Sequence, residues 1–406
     1  MMVTCDASPR SARSTMRCTW RRAMGRRSAV RTPFDVLVIG AGPAGAAAAL
    51  AALALEPTAR VGLVDRAEFP RDKVCGDGVT AGAVAVLREL GTTAVLDGLI
   101  PVDALWLSSA SGHTARVLTG EPAYVVPRRE LDARLLHAAT SSGAELLTEK
   151  VTDVRQAGDH VVVNDRHAAR CVIGADGANS VVRRQLHGSR QPWAHTALAM
   201  RGYATGAAGT PRLQAWFGSG SRPTYSWLFT TGHGPANIGC ITFDGSLRSS
   251  RTALVTAIRE QFTDLDIDDA TLRAHQLPLS TRRPPAARGR VLLAGDAASL
   301  INPLTGEGIQ TALLSGALAG QAGIRHPDGP AQPYRRALRR RLARHLLHTT
   351  AAARAVRDRR AIDATVSAMA DTPLVAARVS AMALGTGTLS PLAVAAIIAR
   401  RITGPG

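Results

Sequence analysis

Hydrophobic residues fall along this chain in three recurring patterns, and each pattern predicts a kind of element. The run Phe34 to Gly40, FDVLVIG, is short and β-branched, as expected of a strand covered on both faces of a parallel sheet. An Ala-rich helix follows to about Leu55, where Glu56-Pro57 ends it, and a second strand, Val61 to Val64, closes on Asp65. This makes a βαβ unit of about thirty residues. Two further buried-type strands, Cys171 to Ile173 and Val291 to Ala294, run directly into GADGANS and GDAAS. Three strands that each end in a Gly/Asp turn predict one sheet, discontinuous in sequence, whose loops converge on a single ligand.

Between these strands the pattern alternates. YSWLFT and ANIGCITF, within about 195–285, suit an antiparallel sheet, with a contribution from about 100–120. From about 331 the period becomes helical, with Leu338, Leu342 and Leu346 four residues apart on an Arg-rich background. The expected fold class is α/β: a Rossmann-type dinucleotide-binding domain (34–194 and 286–330), an inserted antiparallel-sheet substrate domain (195–285) and a helical C-terminal region (331–406). Residues 1–33 read as a disordered basic tail in which Met24 offers a later start.

Two uncharged stretches are long enough to test as membrane spans. Val36 to Leu55 is interrupted by Gly-Ala-Gly-Pro-Ala-Gly and reads as strand, turn and helix. Ser380 to Ala399 contains Gly-Thr-Gly and Ser-Pro, so a buried or interfacial helix is expected there. The N-terminal segment has no apolar core of a secretory signal.

Charge changes the picture less than its total suggests. Of the formal +18, residues 1–33 supply +7 and residues 331–361 supply +9, almost entirely as Arg; Lys73 and Lys150 are the only lysines. A coding bias toward Arg is the plain explanation, and an anionic membrane surface or an acidic partner touching the basic ends, the membrane through the Arg-rich C-terminal helices, is the second. Nucleic acid is not expected, because no aromatic residues interleave the basic runs. The five scattered cysteines have neither metal-ligand spacing nor a disulfide framework, so a reducing, cytoplasmic compartment is expected. Nothing in the sequence indicates an oligomeric state.

Candidate chemistry begins at Gly40-Ala-Gly42-Pro-Ala44-Gly45, which follows a strand and opens a helix. Gly40 permits the tight turn, Gly42 lets the backbone approach a pyrophosphate, and Gly45 lets helix pack on strand. Asp65 lies twenty residues after Gly45, where a carboxylate can accept hydrogen bonds from an adenosine ribose, with Arg66 beside it. These residues alone leave NAD and FAD open.

Four further motifs resemble the flavoprotein superfamily of para-hydroxybenzoate hydroxylase and, within it, the geranylgeranyl reductase family, over about Phe34 to Gly320. The first is FPRDKVCGDGVTAGA; the resemblance places Cys75, Gly76 and Gly78 against FAD. The second, YVVPRRELDARLL, implies that Arg128 reaches the cofactor and Arg129 faces solvent, and Val151 borders the same site. In the third, GADGANSVVRRQL, Asp176 and Gly177 either touch the cofactor or form a turn whose Ser180 caps the next helix. In the fourth, GRVLLAGDAASLINPLTGEGIQTALLSG, the resemblance implies that Gly295 and Asp296 meet the ribityl chain. Gly306, Gly308 and Ile309 then open a helix whose amides point at the flavin N1/C2 region.

The family's lipid-site motif is matched at Tyr225, Trp227 and Phe229 and again at Gly239, with Thr230 and Ile241 where the family has proline and glycine. The resemblance therefore implies an FAD-dependent oxidoreductase. Its expected reaction is reduction of C=C bonds of an isoprenoid or other apolar lipid substrate, with NAD(P)H or a reduced electron carrier as donor. A monooxygenase acting on a specialised metabolite is the alternative. No proton donor stands out: Cys75 is a weak candidate, and His113, His195 and His233 have no assigned place.

Overall fold

The computed structural model describes residues 33–403, apart from 189–190, 208, 219–223, 244–250 and 356–357. The tail expected over 1–33 therefore lies, but for Pro33, outside the described residues, as do Cys5 and Cys18.

The first sheet runs, strand by strand, Ala287–Arg288, Val291–Leu293, His167–Gly174, Phe34–Ile39, Val61–Asp65, Glu145–Thr148. From Val291–Leu293 to Glu145–Thr148 every neighbour is parallel. Phe34–Ile39 sits at its centre because its side chains are apolar on both faces, and five of the six are fully buried. Registers such as Ile39 opposite Gly174 and Val64, and Leu293 opposite Gly174, bring the three Gly/Asp turns to one edge.

The helices Pro43–Leu55 and Ile309–Arg325 pack together over this sheet at unusually short range. A Cβ at Gly316 or Gly320 would stand 2.0 Å from the carbonyl oxygen of Ala44 or Ala48. Small residues on both helices let the backbones touch, so two of the ligand-facing loops are held in fixed relation.

The second sheet has the order Asp266–Pro278, Thr196–Thr205, Ala236–Thr242, Thr224–Thr230, Arg212–Phe217, Val102–Ser108, Thr114–Val125, Gly78–Val79. It is not wholly antiparallel, as the alternation suggested. Arg212–Phe217 pairs in parallel with Val102–Ser108, two strands too far apart in sequence to need a hairpin. One face is covered by the helix Arg251–Gln261 through Leu254 and Ile258. The other carries the aromatic side chains and is partly roofed by the C-terminal helices, whose Val366, Met369 and Val375 pack on Leu105, Val117 and Val125.

The C-terminal region comprises helices Ala331–Ala355, Arg359–Asp371, Pro373–Leu384 and Pro391–Thr403. Leu338, Leu342 and Leu346 are its buried stripe, and Tyr334 donates to the Leu293 carbonyl at 2.6 Å. The uncharged stretch from Ser380 breaks into two helices around Gly385 and Gly387, and among the described residues no helix is long and apolar enough to cross a membrane.

Candidate functional site

A cavity of about 660 Å³ lies between the two sheets, in the range of small-molecule sites. At its polar end, Gly40 adopts φ +99°, and a Cβ there would meet the Ala175 carbonyl at 2.4 Å. Gly42 precedes the first turn of the helix without any side-chain cap, so the amides of that turn stay free for a ligand. A Cβ on Gly42 would point at two guanidinium groups, Arg71 at 3.5 Å and Arg128 at 3.9 Å. Fully buried Asp132 holds both: Arg128 donates to it at 2.6 and 2.7 Å, and Arg71 lies 3.1 Å away. Burial works against the Arg128 charge, but Asp132 outweighs it and raises its pKa. Helix amides and two oriented guanidiniums make a site for a multiply charged anion. Arg129 is exposed.

Asp65 accepts from the Ala41 amide at 2.9 Å and the Ala67 amide at 3.0 Å, which fixes its carboxylate beside the glycine turn. Arg66 and Val151 border the same end of the cavity.

The middle of the cavity is built on Asp77, which the sequence did not single out. Asp77 has φ +61° and no exposed surface. It accepts from Tyr203 Oη at 2.8 Å, Asn237 Nδ2 at 2.7 Å and the Arg128 amide at 3.2 Å. Burial outweighs these bonds and pushes its pKa up to about 6. Asn237 also donates to the Cys75 carbonyl at 2.9 Å and accepts from Trp227 Nε1 at 2.9 Å, so the Cys75–Gly78 loop and the aromatic wall are one network. Gly76 and Gly78 lie against the Phe229 ring: a Cβ on Gly76 would crowd it at 3.3 Å, and one on Gly78 would stand in ordinary contact at 3.5 Å. Burial raises the Cys75 thiol above its ordinary pKa, so it stays neutral.

Arg183 ties two of the turns together. It donates to the carbonyls of Ala178 at 2.5 Å, Asp296 at 3.0 Å and Ala297 at 3.1 Å. Ser180 caps the helix Val181–His187 by accepting from the Arg183 amide at 2.8 Å, and Asp176 Oδ2 accepts from the Val181 and Val182 amides. Asp176 is thus part of the cap, yet its Oδ1 is buried without a partner while Asp176 and Gly177 line the cavity. Asp296 forms an ion pair with Lys73 at 3.1 Å, and although burial opposes it, Lys73 and neighbouring cations hold its pKa below the ordinary value.

One expectation fails at the next turn. The amides that open Ile309–Arg325 are not free to face a ligand: the Glu307 carboxylate accepts from Gln310 at 2.7 Å and from Ile309. A carboxylate at a helix N-terminus satisfies donors that would otherwise be orphaned, so it takes them itself. Burial raises Glu307 to about 7. Two other expected cofactor contacts, Gly45 and Gly295, do not border the cavity. A Cβ on Gly45 would strike the Gly40 carbonyl at 1.8 Å, and Gly295 packs on Ala44 and Ala312, so both serve close packing.

At the apolar end, Tyr225, Trp227 and Phe229 share one face of their strand, with successive ring centroids 6.1 and 6.4 Å apart. Tyr225 donates to the Thr305 carbonyl. Leu105, Leu213, Leu277 and Leu384 complete the lining. Gly239 lies under Trp227, where a Cβ would sit 2.2 Å from the indole. Ile241 packs on Gly306, whose Cβ would meet Ile241 Cδ1 at 2.7 Å. His113 and His233 are exposed and His195 is bonded to Thr281 outside the cavity. His275 lines the cavity instead, its Nε2 buried without a partner and its pKa lowered by burial to about 4.

The family described as "FAD binding domain" matches residues 33–317. The chain is 36% identical over 317 residues to the menaquinone reductase of Mycolicibacterium smegmatis, covering 72% of this chain and 76% of that protein. It is 33% identical over 313 residues to the digeranylgeranylglycerophospholipid reductase 1 of Methanopyrus kandleri, covering 72% and 80%. The chain belongs to the geranylgeranyl reductase family of FAD-dependent oxidoreductases. The crystal structure of a geranylgeranyl bacteriochlorophyll reductase-like protein from Thermoplasma acidophilum shares its fold, with a TM-score of 0.72 over 91% of this chain and 96% of that one at 22% identity.

For an FAD-dependent oxidoreductase of this family, the residues present fit the cofactor. The uncapped turn at Gly42 and its paired guanidiniums suit a pyrophosphate, and the orphaned Asp176 Oδ1 leaves an acceptor for a ligand donor. Asn302 and Thr305, in the fourth motif, donate to the carbonyls of Met382 and Ala383, both at 3.3 Å. The fourth-motif loop of this flavoenzyme is thus tied directly to the helix Pro373–Leu384.

Proposed function

We propose that this flavoenzyme reduces carbon–carbon double bonds in a polyprenyl chain. Hydride would go to one carbon and a proton to the other. One observation carries this reading. The aromatic face of Tyr225, Trp227 and Phe229 is continuous, through Trp227, Asn237 and Asp77, with the loop that carries Cys75 and Gly76. A flat apolar surface so placed holds a slender unsaturated chain beside the redox centre and excludes water from it. The substrates for which the relatives are named, menaquinone and digeranylgeranylglycerophospholipid, both carry isoprenoid chains.

In this reading Arg71, Arg128 and the first-turn amides hold the pyrophosphate, Asp65 takes the adenosine ribose and Asp296 the ribityl chain. Bound there, FAD supplies the hydride in its reduced form. The electrons come from NAD(P)H docked transiently or from a reduced carrier, since the sequence holds no second dinucleotide fingerprint. Glu307, which lines the cavity and titrates near neutrality, donates the proton from its carboxyl.

The test is anaerobic incubation of photoreduced protein with menaquinone and, separately, with a geranylgeranyl phospholipid. Mass spectrometry should show two hydrogens gained per bond in the chain. A product reduced only in the quinone ring would overturn the reading. So would turnover that begins only when air is admitted and leaves oxygen in the product, which is the monooxygenase outcome.

A further inference from the structure

The last helix, Pro391–Thr403, is attached by one face and bare on the other. Ala393 is fully buried and Ile397 half-buried, both in the cluster shared with the helices Arg359–Asp371 and Pro373–Leu384. At 100° per residue, Val394, Ala395, Ile398 and Ile402 fall together on the opposite side, with Leu392 at its margin. Ile398 is 51% exposed, Leu392 72% and Ile402 77%. No polar side chain interrupts residues 391–399, and the cations come only at the end, where Arg400 pairs with Asp371 at 2.6 Å and Arg401 with Asp358 at 2.5 Å. Isolated exposed apolar residues need no explanation, but a whole helix face of them does.

We propose that this face docks on the surface of an anionic phospholipid bilayer, the helix lying in the plane of the interface. Charge selects the occupant. Residues 331–406 carry thirteen Arg and three Asp. A second copy of the chain would bring the same excess of positive charge into contact, whereas anionic headgroups neutralise it. Thirteen residues span about 20 Å, well short of the roughly 30 Å hydrocarbon core, so the helix lies on the membrane rather than across it. The neighbouring helix ends at Leu384, which lines the cavity, so docking brings the apolar end of the cavity toward the bilayer. That consequence for substrate entry rests on the proposed function; the docking does not.

The experiment sediments the full-length, FAD-loaded protein with phosphatidylcholine vesicles, with and without phosphatidylglycerol. The expected result is binding to the anionic vesicles that weakens as salt is raised. The triple variant Leu392→Ser/Ile398→Ser/Ile402→Ser should bind them at least about tenfold more weakly, with flavin content and melting temperature unchanged. Equal binding of variant and parent would overturn the assignment, as would equal binding to neutral vesicles. A dimer in gel filtration that the substitutions dissociate, without any vesicle binding, would give the face to a second copy. Because no substrate is present, the two readings fail separately. A protein that docks but reduces no prenyl chain refutes only the function, and one that reduces a detergent-solubilised chain but ignores vesicles refutes only the docking.

Discussion

Asp77 is the residue on which the Cys75–Gly78 loop, the aromatic wall and the Arg128 amide converge, and Asp77→Asn isolates its charge. In the folded protein its pKa is raised from 3.8 to about 6. At about 1.36 kcal/mol per pH unit this gap is worth about 3 kcal/mol. A raised carboxyl stabilises the fold while it is protonated, so the contribution is complete below about pH 4 and is lost as pH rises through about 6. The amide cannot titrate. It retains an oxygen for Tyr203 and Asn237, but turns its NH2 toward the Arg128 amide, orphaning buried donors at a cost of about 1–3 kcal/mol. The variant should therefore be less stable than the parent near pH 4 and equal to it, or slightly more stable, near pH 7.5. Urea unfolding of both proteins at four pH values, with FAD in excess, measures this, because every other titrating group is common to the two. Parallel stability curves from pH 4 to 7.5 would show that Asp77 is not ionised at the expense of the fold.

Asp296→Ala removes the carboxylate paired with Lys73 and a charged partner for the cofactor; FAD affinity should fall by about tenfold to a hundredfold, and a yellow, fully loaded variant would contradict the assignment. Gly239→Ala would place a Cβ 2.3 Å from the Met200 carbonyl as well as against Trp227, so the melting temperature should fall by several degrees, about 1–3 kcal/mol of overpacking; an unchanged melting curve would refute the contact. Glu307→Gln should keep FAD and lose the fall in kcat expected of the parent as pH rises through about 7; an unaltered pH profile would remove Glu307 as proton donor.

The parts of the site legible in the sequence are those whose chemistry is local. Gly40, Gly42 and Asp65 are readable because a tight turn, a phosphate approach and a strand-end carboxylate recur at fixed spacing. Asp132 is legible in the same way, standing four residues after Arg128 on a helix, the spacing at which an ion pair closes. Asp77 lay inside a quoted motif, but nothing local marks an aspartate whose partners are Tyr203 and Asn237, more than 120 residues away on other strands. His275 was illegible for the same reason, since only the pairing of Asp266–Pro278 with Thr196–Thr205 brings it over the cavity. The Glu307 result shows a different limit. The motif correctly announced a helix start, but whether its amides face a ligand or their own carboxylate depends on one side-chain rotamer.

In the proposed reduction the proton must come from a group near the cavity that is an acid at neutral pH. Tyr225 has committed its hydroxyl to the Thr305 carbonyl, and burial raises its pKa beyond useful range. Burial also keeps the Cys75 thiol neutral, which makes it a poor acid. His275 errs in the other direction: at about 4 it has already lost its proton at pH 7, and its bare Nε2 suits a hydrogen bond better than proton delivery. Asp77, raised to about 6, does not itself border the cavity, whereas Glu307 combines a place on the cavity wall with a pKa near 7, where a general acid is both protonated often enough and willing to release. Its helix-capping bond from Gln310 fixes the orientation of the carboxyl group. The residue that occupies the helix amides thus also has the pKa that the proposed reduction calls for.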